Sequence, residues 1–343
     1  MKWHCTILAI LIFLSSASAS AVADTVTKKN KKTVLGQVSA MSNREVTVKR
    51  GTAKTVVPAG EIRTIVYDGE PKSLSLARAS VAHGQYEDAL KALSQIDTSK
   101  IHRKAIVADV EFYKALAAAR LALRGEGKIV EAGTQMAQFV KAHHGNYHWY
   151  EANRIVGDLL VVSRLYGPAV QYYTTLADAP WLSARLRAAV GIGRAEMAAG
   201  KIDEAAASFQ KAIEMSSAGT KTTDADALEQ KKLAQIGKAR CLAAQGKLDD
   251  ALKMTQEIID QADPEDVLLN ARAYNALGTA LRKAGKPQDA LLAFLHVDIL
   301  YFNSPEEHAE ALANLAELWG EVHQTDRAIR AQETLRTRYK NIH

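Results

Sequence analysis

Apolar positions along this chain follow two rhythms, and the change falls near residue 70. Between Thr33 and Tyr67 they come in brief β-branched runs: Val34, Val38, Val46, Val48, Val56, Val57, Ile62, Ile65 and Val66, separated by Ser42-Asn43, Arg50-Gly51 and Pro58-Ala59-Gly60. That spacing predicts three or four strands, with a short turn at residues 58–61 before the last. Residues 24–32 (DTVTKKNKK) are polar and basic without an apolar period and read as a solvated linker, or as a tether to a membrane surface or nucleic acid. From Leu74 onward the strand pattern vanishes and a helical one replaces it, with large apolar side chains four and seven positions apart.

The helical part repeats. Aligned on Ala89, Ala132, Ala169, Ala205, Ala251, Ala290 and Ala328, successive units are 43, 37, 36, 46, 39 and 38 residues long. Five positions before the alanine stand Gly84, Gly127, Gly200, Gly246 and Gly285, and one position before it Asp88, Glu131, Glu204, Asp250 and Asp289. Large apolar residues follow four later at Leu93, Met136, Tyr173, Phe209 and Phe294, and small residues stand twelve earlier at Ala77, Gly157, Gly193, Ala239, Gly278 and Ala316. Each column has a physical meaning. Glycine closes one helix in a left-handed cap, and the acid sits at the positive end of the next helix dipole. Small residues let two antiparallel helices cross closely. Each unit is therefore expected to be a helical hairpin.

These columns resemble the tetratricopeptide repeat, most fully at Gly193…Gly200-Lys201-Ile202-Asp203-Glu204-Ala205…Phe209…Ala212 and at Leu277-Gly278…Gly285-Lys286-Pro287…Ala290…Phe294. The resemblance implies a right-handed solenoid with a concave ligand face lined by the first helix of each hairpin. The period exceeds the customary ~34 residues, so residues are inserted; Ser216–Asp226 (SSAGTKTTDAD) is read as one such loop. His323 and Gln332 stand where glycine and a large apolar residue are usual, as a polar terminal cap requires. The strand order of the preceding segment resembles the small SH3-like or Sm-like β-barrels. The expected architecture is mainly α: about seven hairpins over 73–343, a small β-barrel-like module over 33–72, the linker 24–32, and a leader over 1–23.

The leader reads as a signal peptide: Lys2, an apolar run from Ile7 to Leu14 too short to span a bilayer, then small residues up to Ala23. Export to the periplasm or medium follows, with no transmembrane segment expected in the mature chain. Composition is consistent with a packed protein, since 48% hydrophobic and 24% charged residues in a chain of 343 exclude disorder. The net charge of +6 falls to +5 without the leader, which is far from a nucleic-acid footprint, and no nucleic-acid partner is expected. Only Cys241 remains beyond the leader, so no intramolecular disulfide forms and packing alone must hold the fold.

Catalytic chemistry is hard to find, and no enzyme is expected. No G-x-S-x-G, H-E-x-x-H or P-loop occurs, and no cofactor or metal is expected. His143, His144 and His148 invite a metal reading, or else belong to a solvated turn between repeats. The acid pairs Glu87-Asp88, Asp203-Glu204 and Asp249-Asp250 recur at one phase of the repeat, as first turns of helices do. The repeat phase instead places Arg154, Arg187, Arg194, Arg240, Arg272, Asn275, Arg282 and Lys283 on the concave face as ligand-groove candidates. Left free, the arginines make a groove for acidic segments of a protein or peptide partner; paired with acids such as Glu151, Asp158 and Glu196, they do not. The expected function is an exported, non-catalytic scaffold or adaptor for protein–protein interaction in the cell envelope. The alternative is polyanion or nucleic-acid binding through the β module and the basic linker. The β module is also a candidate for oligomerisation.

Overall fold

The computed structural model describes residues 23–218 and 224–339. The signal-peptide expectation therefore lies, but for Ala23, outside the described residues, as does the centre of the loop expected at 216–226. Five strands come first: β1 (Asp24–Lys28), β2 (Thr33–Met41), β3 (Glu45–Arg50), β4 (Ala53–Pro58) and β5 (Ile62–Val66), with a 3-10 turn at Ala59–Glu61. They form one antiparallel sheet in the order β4-β3-β2-β1-β5. β2 bends at Gly36, where a Cβ would stand 2.4 Å from the Lys49 carbonyl oxygen; its first half pairs with β1 and its second with β3.

β1 corrects the linker expectation for residues 24–32. The segment has too few apolar residues to show alternation, yet Val26 faces the core and pairs across to Val34 and Ile65. The other inward position is Asp24, an apolar site occupied by a carboxylate. Its charge is accommodated because Arg103 grips it with two bonds of 2.5 and 2.6 Å, while the Val38 and Asp68 amides donate to it at 2.6 and 2.9 Å. Those partners lie elsewhere in the chain, so no local pattern announces the strand.

Fourteen helices follow among the described residues, paired in chain order as seven hairpins. The first helix of each is α1 (Lys72–Ala82), α3 (Lys104–Leu123), α5 (Trp149–Val162), α7 (Leu182–Ala198), α9 (Ala225–Ala244), α11 (Val267–Lys283) or α13 (Pro305–Glu321). The second is α2 (Tyr86–Ser94), α4 (Ile129–Ala142), α6 (Tyr166–Thr174), α8 (Ile202–Ser217), α10 (Leu248–Gln261), α12 (Pro287–Leu300) or α14 (Thr325–Arg338). Helices α8 and α9 take up Ser216, Ser217, Ala225 and Asp226 at the two ends of the segment expected as a loop. All seven alanines of the alignment are buried. Opposite them, aromatic rings of the second helices press on glycines of the first: Tyr173 on Gly157 and Gly191, Phe209 on Gly193 and Gly237, and Phe294 on Gly278.

Every hairpin turns through one left-handed residue, and in each case the next amide bonds back to the carbonyl five residues earlier, as in Gln85 to Ser80 and Lys247 to Leu242. Glycine supplies that residue at 84, 125, 200, 246 and 285; Arg164 (φ 59°) and His323 (φ 62°) supply it in the third and seventh hairpins. Gly127 is displaced from the expected role by Gly125, because the α3–α4 turn is longer by two residues. A side chain in this conformation is disfavoured by roughly 1–2 kcal/mol, partly offset by the chain entropy that glycine loses on folding. Arg164→Gly is thus expected to raise the unfolding free energy by roughly 0.5–1 kcal/mol in chemical denaturation; a loss would contradict this account of the turn.

The β module has no core of its own. Val26, Val46, Val48, Val57 and Ile65 run into one cluster with Leu74, Phe112, Met136 and Ile155 of the first three hairpins. The 3-10 turn reaches further, since a Cβ on Gly60 would lie 2.5 Å from the Trp181 ring at the start of α7. Lys29, at the β1–β2 turn, binds Asp226 in the first turn of α9 at 2.7 Å. A sheet this small buries too little to stand alone and is held by the helices around it.

Candidate functional site: the concave face of the solenoid

The first helices pack successively on one another, α5 on α7, α7 on α9, α9 on α11 and α11 on α13. Curvature shows in the side chains. Arg240 of α9 donates to both carboxylate oxygens of Glu310 on α13 at 2.8 and 3.0 Å, across the intervening α11. Side chains two hairpins apart meet only on the inside of a curve, which identifies this face as concave. Arg194 of α7 lies in the field of Glu306 and Glu307 of α13, three hairpins away.

The candidate residues other than Arg187 are brought to this face, and all but one of the eight are engaged. Arg154 donates to Asp158 at 2.6 Å and stands 3.9 Å from Glu151. Arg272 donates to Glu307 at 2.8 Å. Asn275, fully buried, donates to the Glu307 carbonyl at 2.9 Å and to its carboxylate at 3.2 Å. Arg282 is fastened to Glu317 and Glu321, each at 2.6 Å. Arg187 lies apart, 3.4 Å from the Asp226 that also holds Lys29. Lys283 is exposed with no partner among the described residues, at the C-terminal end of α11.

The expectation of a basic groove is therefore corrected. Five arginines (154, 194, 240, 272, 282) meet seven acids (Glu151, Asp158, Glu306, Glu307, Glu310, Glu317, Glu321), so no excess of positive charge is left among them. Burial works against the charge of Glu307, but Arg240, Arg272 and the bond from Asn275 outweigh it and hold that carboxyl below its usual range. Within this cluster the least engaged cation is Arg194. Its one ion pair is long, 3.9 Å to Asp158, and 47% of its side chain reaches solvent. Of the expected pairings, Arg154 to Glu151 and Asp158 is present, whereas Glu196 accepts a bond from Ser208 at 2.7 Å.

A second polar cluster, unannounced by the sequence, lies where the β module meets the first two hairpins. Arg78 of α1 forks between Glu70 at 2.5 Å and Asp109 of α3 at 2.8 Å. Glu70 also accepts from the Tyr67 amide at 2.9 Å. The His148 ring stacks on Phe112 at 3.6 Å and turns Nε2 toward Asp109, 3.7 Å away. Burial pushes the Asp109 carboxyl up to about 7 against the pull of Arg78, and burial followed by Arg78 drives His148 well below its usual value. The three histidines do not converge: His143 meets Glu111 at 2.5 Å and His144 packs on Trp149. No group of three metal-ligating side chains is assembled among the described residues.

Comparison with known proteins agrees with this architecture. Residues 157–220, 190–267 and 236–299 match the family model of the tetratricopeptide repeat. A tetratricopeptide repeat protein from Parabacteroides merdae ATCC 43184 shares 15% identity over 78% of this chain and 91% of its own, with a TM-score of 0.57. A Rap protein complexed with competence and sporulation factor shares 12% identity over 79% of this chain and 74% of its own, with a TM-score of 0.53. No curated protein matches. Repeat columns, hairpin geometry and family model agree: residues 157–299 match the tetratricopeptide repeat, and the helical part as a whole is a tetratricopeptide-like solenoid.

Proposed function

We propose that the protein is an exported, non-catalytic scaffold that holds a protein or peptide segment against the concave face of its solenoid in the cell envelope. The observation that carries this reading is the groove itself, a curved surface of first helices on which Arg194 stands half exposed among paired charges. A similar solenoid is complexed with competence and sporulation factor, which supports a ligand-binding use of the fold. Export rests on the leader, and the SH3-like or Sm-like character of the β module on its strand order and the 3-10 turn before β5. The charge balance narrows the ligand. A purely acidic segment would be repelled by Glu306, Glu307 and Glu310, whereas one that offers Arg194 a carboxylate and those acids a cation fits both signs.

A photo-crosslinking residue placed at Arg194 tests this against the same residue at Gln256, exposed on a second helix. Crosslinks to a partner from cells are expected at Arg194 and absent at Gln256. Arg194→Gln, which removes the cation without setting a new carboxylate against Asp158, Glu306 and Glu307, should weaken that partner's binding roughly tenfold, an effect of the size of one exposed charge contact, and the loss should shrink at high salt. Crosslinks at Gln256 alone would move the binding surface to the outer face.

A further inference from the structure

The charge of this protein is segregated. Residues 24–66 contain nine Lys or Arg against three Asp or Glu, a net of +6, whereas residues 67–343 contain 34 against 35 and are nearly neutral. Of the nine cations only Lys28 and Lys29 meet a carboxylate among the described residues, at Glu61 and Asp226; the other seven are exposed and unpaired. Their placement is costly. Lys49 and Lys54 stand directly opposite each other on β3 and β4, and Arg50 follows at the hairpin tip. Like charges in that position destabilise a sheet unless an anion lies between them and the solvent. Further cations sit at the other turns, Lys31 and Lys32 between β1 and β2 and Arg44 between β2 and β3.

We infer that the β module docks the protein on an anionic phospholipid surface, with the β3–β4 hairpin (Lys49, Arg50, Lys54) foremost. Three cations gathered within six residues at the tip of one hairpin suit a partner that presents negative charge across a plane rather than at one point. Exposed apolar side chains accompany them: Val56, two residues beyond Lys54 on the same strand face, and Leu35 are each about half exposed. Residues 24–66 contain no aromatic side chain and no histidine, so the module has no platform on which bases could stack. It equally lacks the aromatic anchors that dominate protein–protein interfaces. Docked this way, the module would hold the solenoid beside the lipid surface.

Co-sedimentation of the full chain with vesicles tests the inference, using phosphatidylcholine alone and phosphatidylcholine mixed with phosphatidylglycerol. Binding is expected only to the anionic vesicles, with loss at high salt. The triple variant K49Q/R50Q/K54Q should bind them more weakly by on the order of a hundredfold with an unchanged thermal melt. Should that variant fail to fold, K49Q/K54Q, which removes only the facing pair of like charges, provides the same readout. Equal binding to both vesicle types would show that the apolar leader, not the module, is responsible, and would overturn the proposal. Undiminished binding by a folded variant would do so too, as would an oligonucleotide that displaces the protein from the anionic vesicles at equal charge concentration.

Discussion

Replacing Arg78 by leucine is expected to cost about 3–5 kcal/mol of unfolding free energy, because it leaves two buried carboxylates without their cation. Glu70 and Asp109 both lean on that one guanidinium, and the side chains of all three are almost wholly buried. The loss should be cooperative, since the β module and the first hairpins share a single apolar core. The cluster also has a pH signature. Asp109, raised to about 7 from an unfolded value of 3.8, takes up a proton on folding; its contribution is full below the unfolded value and disappears as pH rises to about 7. His148, lowered from 6.5, releases a proton on folding; its contribution is full above that value and is lost as pH falls. The two oppose each other across much of the same window. Compared with wild type, Asp109→Asn should therefore be most damaging at low pH and recover toward neutrality, and His148→Gln should do the reverse. A denaturation series from pH 4 to 8 decides it, and pH-independent differences would mean that folding shifts neither group.

Legibility in the sequence depended on how local each interaction is. Alanine, glycine and acid columns are visible because a helical hairpin repeats its own internal contacts, so Ala205, Gly200 and Glu204 mean the same thing in every unit. Arg164 and His323 show the limit, since the turn is set by the helices it joins and is made with whatever residue stands there. β1 was hidden because one inward position is Asp24, whose partner Arg103 lies 79 residues away. The groove electrostatics were hidden for the same reason on a larger scale. Arg154 and Asp158 are one helical turn apart and can be paired by inspection, whereas Arg240 and Glu310 are 70 residues apart and meet only through superhelical curvature. That curvature sums small rotations over several hairpins, and no motif encodes it.

It follows that Arg240→Glu is unsuited to testing ligand binding, since it would set a third carboxylate against Glu307 and Glu310 and disturb the curve itself. Arg194 makes one long ion pair, and its neutral replacement adds no carboxylate beside Asp158, Glu306 and Glu307, so the binding test rests on Arg194→Gln.

The other large effect is expected at Phe209, where Phe209→Ala should cost about 3–5 kcal/mol. Its ring lies wedged between Gly193 of its own hairpin and Gly237 of the next: a Cβ added at either would come to 2.9 or 2.4 Å of ring carbons. The ring thus joins the fourth and fifth hairpins, and a solenoid is only as cooperative as such junctions. The reciprocal change makes the argument testable. Gly237→Ala intrudes on the ring and should cost about 1–3 kcal/mol by overpacking. Phe209→Leu shortens the side chain and leaves a gap where the new methyl group would go. Combined, the two should cost less than the sum of the single changes, with a coupling of roughly 0.5–3 kcal/mol as expected for residues in contact. The full set of four proteins, compared by urea denaturation, measures this directly. Strict additivity would mean that Phe209 does not occupy the Gly237 slot, and the register between α8 and α9 would have to be redrawn.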